Sequence, residues 1–281
     1  MIGSTVASSF FTLAGAGILA ALLMSPRADL GRFYSALHAG LALACLMLVI
    51  PWRSGEAPWT PAHARSGLAG LACDSALLAG LLALLFITIL YLPQGRGGRG
   101  VLPGGRSGLA LLWLAAASAA LAVGLDGWVL AAGRGRWLHV ASAEAAGFLL
   151  GVVIVAMDLG HFYLVRFRLS ERHLVRFARL LGVAIAVRAG LLLLALALYG
   201  LAAPGGLAPY LRGVAVDRGF FFWQRVFFGL LGPAVFAWMV HETARIRSTQ
   251  SATGILYIAV IFVMIGEFLA RYLTVHGAGP M

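Results

Sequence analysis

The sequence has no lysine, so the 21 lysine-plus-arginine positions are all arginines. Only 11% of its 281 residues are charged. About a quarter of the residues in a typical soluble domain are charged, and this scarcity excludes an ordinary soluble domain. Cysteine is also rare: Cys45 and Cys73 lie in apolar stretches, which excludes a disulfide framework and a CxxC metal site. The sequence has no HExxH, Walker A or GxSxG motif, so zinc-dependent, nucleotide-driven and hydrolase functions lack support, and no metal site is predicted.

Long apolar runs make up most of the sequence, and 61% of the residues are hydrophobic. A bilayer offers no water to free backbone groups, so only helices or closed barrels can cross it. The runs are unbroken rather than alternating, which favours helices. The sequence therefore predicts an all-α polytopic transmembrane helix bundle, a single membrane domain of about eight spans. The predicted spans cover residues 5–24, 31–50, 68–92, 107–125, 138–165, 175–202, 221–240 and 251–274.

The net charge of +11 comes from arginines placed between the apolar runs. Because no basic soluble domain exists to carry it, we interpret this charge as a topology signal and as contacts with lipid headgroups, not as nucleic-acid binding. Most arginines follow the first, third, fifth and seventh predicted spans. The positive-inside rule then places both termini outside, with a bacterial cytoplasmic membrane as the expected location. The first run has no basic n-region and is expected to be a retained span.

Ionisable residues within spans are costly in lipid, so they are the first candidates for a functional site. In the fifth predicted span, Glu144 and Asp158 are about 40° apart around the helix and about 21 Å apart along it. His161 follows Asp158 by three residues, and the three form an intramembrane polar track that Arg188 of the sixth span extends. In the alternative interpretation these groups only hold helices together, with Asp158 paired to Arg188 or to an arginine at the cytoplasmic end.

A second set of polar residues is predicted near the outer side of the membrane: His139, Glu144, Arg225, Glu267 and Arg271. Glu267 and Arg271 are spaced i,i+4, which favours an ion pair, and Arg225 is placed to reach Glu144 or Glu267. Quinol oxidation needs proton acceptors in a low-dielectric pocket, and carboxylates or histidines serve that role. We therefore predict that this set binds quinone or relays protons.

Three histidines are expected at a similar depth near the cytoplasmic side: His38, His161 and His241. Two histidines that face each other across a bundle can ligate a b-type haem. Spacing alone does not show that any two face each other, and a membrane histidine is more often a hydrogen-bonded packing residue. Haem b is therefore a secondary prediction, after quinone or quinol.

The C-terminal span carries the sequence Gly266-Glu-Phe-Leu-Ala-Arg271, and Gly232-Pro233 precedes it in the seventh span. These residues resemble the end of DmsC/NrfD-type membrane anchors, in which Gly-Glu-x-x-Gly-Arg closes the last of about eight helices. Ala270 stands where that family usually has glycine. The resemblance implies a haem-free subunit that anchors a molybdopterin/iron–sulfur oxidoreductase and exchanges electrons with quinone at its outer side. Glu267 and Arg271 match the family motif, and no other functional residue can be carried over by position.

Three functions are consistent with these residues. The first is a quinone-interacting electron-transfer subunit of a respiratory-type complex, with the redox chemistry carried by partner subunits because the loops are too short for a redox domain. The second is a proton- or solute-coupled transporter that uses Asp158, Arg188 and Glu144 as a path. The third is a structural or assembly subunit in which every buried charge is merely paired.

Overall fold

The fold is described from a computed structural model, which covers residues 2–54, 67–91, 105–131, 135–165, 169–277 and 279–281. This part of the chain forms helices and contains no strand. The helices are α1 Ile2–Met24, α2 Arg27–Ser54, α3 Gly67–Tyr91, α4 Gly105–Leu130, α5 Arg136–Val165, α6 Arg172–Ala202, α7 Leu207–Arg212, α8 Gly219–Val226, α9 Gly232–Arg245 and α10 Thr249–Val275. Two π-helical segments, Gly213–Asp217 and Phe227–Leu231, flank α8.

Eight helical stretches in the described residues are long and apolar enough to cross a membrane, which confirms the predicted all-α bundle. The seventh stretch is composite, since α8, the π-helical segment Phe227–Leu231 and α9 continue one another from Gly219 to Arg245. Consecutive spans alternate in direction. We call the side where α1 begins and α10 ends the terminal side, and the opposite side, which holds the α5–α6 and α9–α10 connections, the arginine side.

The helix ends differ from the predicted ones in several places. Helix α2 begins at Arg27 with a break at Gly31, whose φ is 84°, and it continues past Pro51 to Ser54. Helix α4 reaches Leu130 instead of ending near residue 125, and α7 was not predicted at all. Hydropathy reports where apolar side chains stop, whereas a helix continues as long as its backbone hydrogen bonds do. The polar ends of the spans were therefore underestimated.

Helix α1 is the most enclosed span and packs against α2, α4, α5 and α10. Glycines allow its closest approach to α5. A Cβ atom built on Gly17 would overlap the carbonyl oxygen of Gly147, and one built on Gly151 would overlap the backbone of Gly17. Small residues at such crossings let backbones meet and gain dispersion contacts, which drive helix association in lipid. The bundle is thus organised around an α1–α5 contact that admits no side chain.

Large apolar side chains cover the outside of the bundle. Leu81, Leu193 and Trp238 are each at least 60% exposed, and many other leucines and aromatics on the spans are similarly exposed. Such a surface is unfavourable in water but is the ordinary exterior of a protein surrounded by lipid. The apolar outer surface agrees with the length and hydropathy of the spans.

Candidate functional site

A cluster of ionised side chains lies inside the bundle toward the terminal side. Its centre is Glu267 of α10, about 12 Å along the helix from Val275. One carboxylate oxygen of Glu267 is 2.7 Å from Nη2 of Arg188, and the other is 3.3 Å from Nη2 of Arg225. All three side chains are at most 1% exposed. A single carboxylate therefore serves two guanidinium groups from two other spans.

Arg188 is the best satisfied member of the cluster. Its Nε donates to Glu267 at 3.1 Å, in addition to the Nη2 bond, so the contact is bidentate. Nη1 donates to the hydroxyl of Ser142 on α5 at 2.9 Å, and Nη2 also donates to the main-chain oxygen of Met281 at 2.8 Å. Buried charges are stable only when paired and hydrogen-bonded, and Arg188 meets both conditions. It joins α5, α6, α10 and the segment after α10.

Arg225 is held differently. It is fully buried at the end of α8, yet none of its three side-chain nitrogens forms a hydrogen bond within the described residues, and its only ion pair there is with Glu267. Room for the guanidinium comes from Gly229 in the π-helical segment, because a Cβ there would overlap Nη1. Gly229 also touches Gly266 of α10 backbone to backbone. The glycine pair thus places Arg225 directly beside Glu267.

Arg271 extends the cluster toward α4 and α5. It is 5% exposed, and its guanidinium is near enough to be attracted by Asp126, Glu267 and Glu144 and to be repelled by Arg188. Asp126 in turn accepts a hydrogen bond of 2.5 Å from the hydroxyl of Ser9 on α1. The i,i+4 spacing predicted Arg271 as the direct ion-pair partner of Glu267. The ion-pair contacts of Glu267 instead come from the facing helices, and Arg271 connects it to the two other carboxylates.

Glu144 lines a partly open cavity of about 350 Å³ between α1, α4 and α5. It is the only ionisable residue in that lining, and the others are small or aromatic: Ala16, Gly17, Ala20, Ala116, Ala120, Ala145, Gly147 and Phe148. All of them lie within spans, so the cavity lies at the depth of the membrane-spanning segments. Through Arg271, Glu144 is electrostatically connected to the buried cluster.

His139 completes the predicted outer set but has a partner outside the cluster. Its Nε2 is 2.9 Å from the hydroxyl of Tyr199, so it connects α5 with α6 at the terminal side. The structure therefore brings Arg225, Glu267 and Arg271 together with Arg188, couples Glu144 to them, and places His139 in a separate contact.

The predicted polar track along α5 is divided. Asp158 lies 3.0 Å from Nε2 of His38, which is fully buried, and not beside Arg188. The interpretation that pairs Asp158 with Arg188 is wrong, because Arg188 reaches from α6 to α10 instead. His161 is exposed, and its Nδ1 is 3.1 Å from the hydroxyl of Tyr257.

The three histidines considered for haem have different surroundings. His38 pairs with Asp158 and has its Nδ1 2.9 Å from the carbonyl oxygen of Tyr34. His161 contacts Tyr257, and His241 is half-buried on α9. These contacts match the packing role that single membrane histidines usually have. Haem ligation stays a prediction.

We expect Asp158→Asn to lower the free energy of unfolding by about 1–3 kcal/mol. The reason is that it removes the carboxylate 3.0 Å from Nε2 of the fully buried His38, a nitrogen with no hydrogen-bond partner among the described residues. The matched control is Asp29→Asn. Asp29 also pairs with a histidine, His173, at 2.9 Å, but both side chains are partly exposed, so a loss of at most about 1 kcal/mol is expected. Thermal unfolding in detergent, followed by tryptophan fluorescence, measures both. Equal effects of the two substitutions would contradict the buried pair.

Several residues of the site were not predicted. The predicted fourth span stops at residue 125, one residue before Asp126. Helix α4 continues for four residues beyond Asp126, so this carboxylate lies within the helix. Ser142 lies one turn after His139 on α5. Serines are common in membrane helices, so its residue type does not predict that it accepts a hydrogen bond from an arginine. The contact of Met281 with Arg188 follows from the path of the chain after α10, which hydropathy does not report.

Fold and site together define a polytopic α-helical integral membrane protein with a buried ion cluster. No protein-family model matches the chain, and comparison with curated proteins gives no significant match. The function is therefore inferred from the site itself.

Proposed function

We propose that this chain is an integral membrane subunit that interacts with quinone or quinol and anchors the redox subunits of a respiratory-type electron-transfer complex. The observation that carries the proposal is the cavity between α1, α4 and α5, in which Glu144 is the one ionisable residue of an otherwise apolar lining. A proton-accepting group in an apolar pocket at the depth of the spans suits a lipid-soluble substrate that releases protons.

The cavity suits a quinone ring in size and chemistry. Its volume of about 350 Å³ lies within the range of small-molecule sites. Phe148 offers an aromatic side chain for stacking, and the residues that α1 and α4 contribute to the lining are all alanine or glycine, which leaves room for a ring. Because the lining lies within the spans, an isoprenoid tail can remain among the lipid chains while the ring enters.

Oxidation of a quinol to a quinone releases two protons and two electrons. In our proposal Glu144 accepts the two protons one after the other from the quinol hydroxyls and releases each to water at the terminal side before the next. The guanidinium of Arg271 attracts both Glu144 and Asp126 and so favours the charged form of Glu144 that accepts the proton. The electrons pass to a partner subunit, since each connection between spans is far shorter than a folded domain. We further propose, from the arginine distribution, that the terminal side is the outside of a bacterial cytoplasmic membrane. The resemblance of Glu267 and Arg271 to the DmsC/NrfD motif supports the same assignment.

We expect Glu144→Gln to slow quinol oxidation at least 100-fold, because general bases typically contribute that much or more to rate. Binding of a short-chain quinone should change little, since the amide keeps the shape of the carboxylate. The measurement is quinol oxidation by the complex purified from native membranes in mild detergent, together with quinone extraction from the same sample.

Two further variants make the test specific. Ala120→Phe fills the cavity and should abolish quinone binding, whereas Glu242→Gln removes an exposed carboxylate on α9 and should leave turnover unchanged. Quinone-free protein without co-purifying redox subunits would contradict the proposal. Proton-coupled flux in liposomes that contain this chain alone would favour the transporter, and unchanged function in both Glu144→Gln and Ala120→Phe would favour a structural subunit.

A further inference from the structure

A second cavity, of about 450 Å³, lies on the arginine side, and its lining includes no residue of the ion cluster. It is formed by the first three turns of α6 and by the end of α9. Four of its lining residues are arginines, Arg172, Arg176, Arg179 and Arg245, and its apolar residues are Val175, Leu180 and Val183. This combination of basic and apolar walls is unlike the rest of the surface, which is apolar over the spans.

The arginines of α6 form a stripe along one helix face. Arg172, Arg176 and Arg179 are spaced i, i+4 and i+7, which places them above one another on the same side of the helix over about 10 Å. Val183 continues the same stripe one turn deeper, and its side chain is 59% exposed. The stripe thus changes from cationic to apolar in the direction that leads into the bilayer.

Within the described residues, the positive charge of the cavity is only partly neutralised by acidic side chains. Its one acidic lining residue, Glu171, is 3.0 Å from Arg247, and its own backbone amide, together with Arg247, holds the pKa of its carboxyl below the usual value. Arg245 is 3.3 Å from Glu242. Arg176 and Arg179 are exposed and form no ion pair within the described residues. Two arginines therefore remain available to an external anion.

The start of α6 adds to this field. Helix α6 has 31 residues and begins at Arg172, so the positive end of its dipole lies at the end of the cavity that Glu171 and Arg172 line. Phosphate oxygens are favoured beside helix N-termini and arginines alike.

We propose that this cavity binds one anionic phospholipid, with its phosphate between Arg172, Arg176 and Arg179 and an acyl chain along Leu180 and Val183. Charge complementarity selects an anionic over a zwitterionic headgroup, and the apolar end of the stripe selects a lipid over a soluble phosphate. The inference is independent of the quinone proposal, because the two cavities share no residue.

The test is equilibrium binding of a fluorescent phosphatidylglycerol, followed by anisotropy, to the full chain purified in an uncharged detergent. Each arginine near a membrane surface contributes about fivefold to the binding of anionic lipid, so Arg176→Gln with Arg179→Gln should weaken binding about 25-fold. The matched control is Arg212→Gln, an exposed arginine of α7, for which the affinity should be unchanged.

Val183→Trp tests the acyl path while all arginines are kept. It should weaken phosphatidylglycerol binding severalfold and leave competition by glycerol phosphate unaffected. All substituted side chains are exposed, and gel filtration checks that each variant is folded. Equal binding of the double arginine variant, equal affinity for phosphatidylcholine, or equally effective competition by glycerol phosphate would each overturn the proposal.

Discussion

Replacing Glu267 by glutamine is expected to lower the free energy of unfolding by about 3–5 kcal/mol, the usual cost of leaving a buried charge without its partner. The carboxylate lies between Arg188 and Arg225, and all three side chains are buried. Arg188 would keep its bonds to Ser142 and Met281, whereas Arg225 would lose its ion pair. Thermal or dodecyl-sulfate unfolding of the purified protein, followed by tryptophan fluorescence, measures the loss.

Two companion variants identify the cause of this loss. Glu242→Gln removes a carboxylate that is 3.3 Å from Arg245 on the exposed surface, and it should cost less than about 1 kcal/mol. Arg225→Met combined with Glu267→Gln restores the net charge of the cluster and should recover a large part of the lost stability. If the double variant is no more stable than Glu267→Gln alone, unpaired charge is not the reason for the loss.

The second large effect is expected at the contact between α1 and α5. Gly17→Ala places a methyl group where the carbonyl oxygen of Gly147 lies, and neither backbone can move without separating the two helices. We expect a loss of about 3 kcal/mol in unfolding free energy, the upper end of the range for overpacked interiors. The same unfolding assays apply.

The matched control is Gly190→Ala in the middle of α6, where an added Cβ meets no atom within 4 Å. That substitution should leave stability unchanged or raise it by up to about 1 kcal/mol, because alanine favours a helix more than glycine does. A similar loss at both positions would mean that glycine itself, and not the close helix approach, determines the effect of Gly17→Ala.

The number and type of the spans could be predicted because hydropathy and span length act locally along the chain. The depth of Arg225, Glu267 and Arg271 followed from the same counting, and the structure places them together near the terminal side. The pairing was predicted only in part. Arg225 was expected to reach Glu144 or Glu267 and pairs with Glu267, whereas the contact of Arg188 with Glu267 could not be predicted, since it depends on the rotation of each helix about its axis. The i,i+4 spacing gives information only on neighbours within α10, whereas the ion-pair partners of Glu267 lie on α6 and α8.

Other features depend on contacts between elements that are distant in sequence. The π-helical segment Phe227–Leu231 has no simple sequence signal, yet Gly229 within it makes the space for Arg225. The Glu144 cavity is lined by three helices, and the arginine-lined cavity by α6 and α9. Composition indicated that arginines would contact lipid headgroups. That three of them lie along one face of α6 follows only once the helix is known to begin at Arg172, since the predicted span begins at residue 175.

The sharing of one carboxylate by two guanidiniums has an evolutionary consequence. The effects of altering Arg188, Arg225 and Glu267 are not independent, since each substitution changes the charge that the other two experience. Among natural variants, neutral residues at position 267 should therefore occur together with a neutral residue at position 188 or 225. At these three positions we expect the carboxylate and one arginine to be lost together, and sequences that have lost only one of them to be rare.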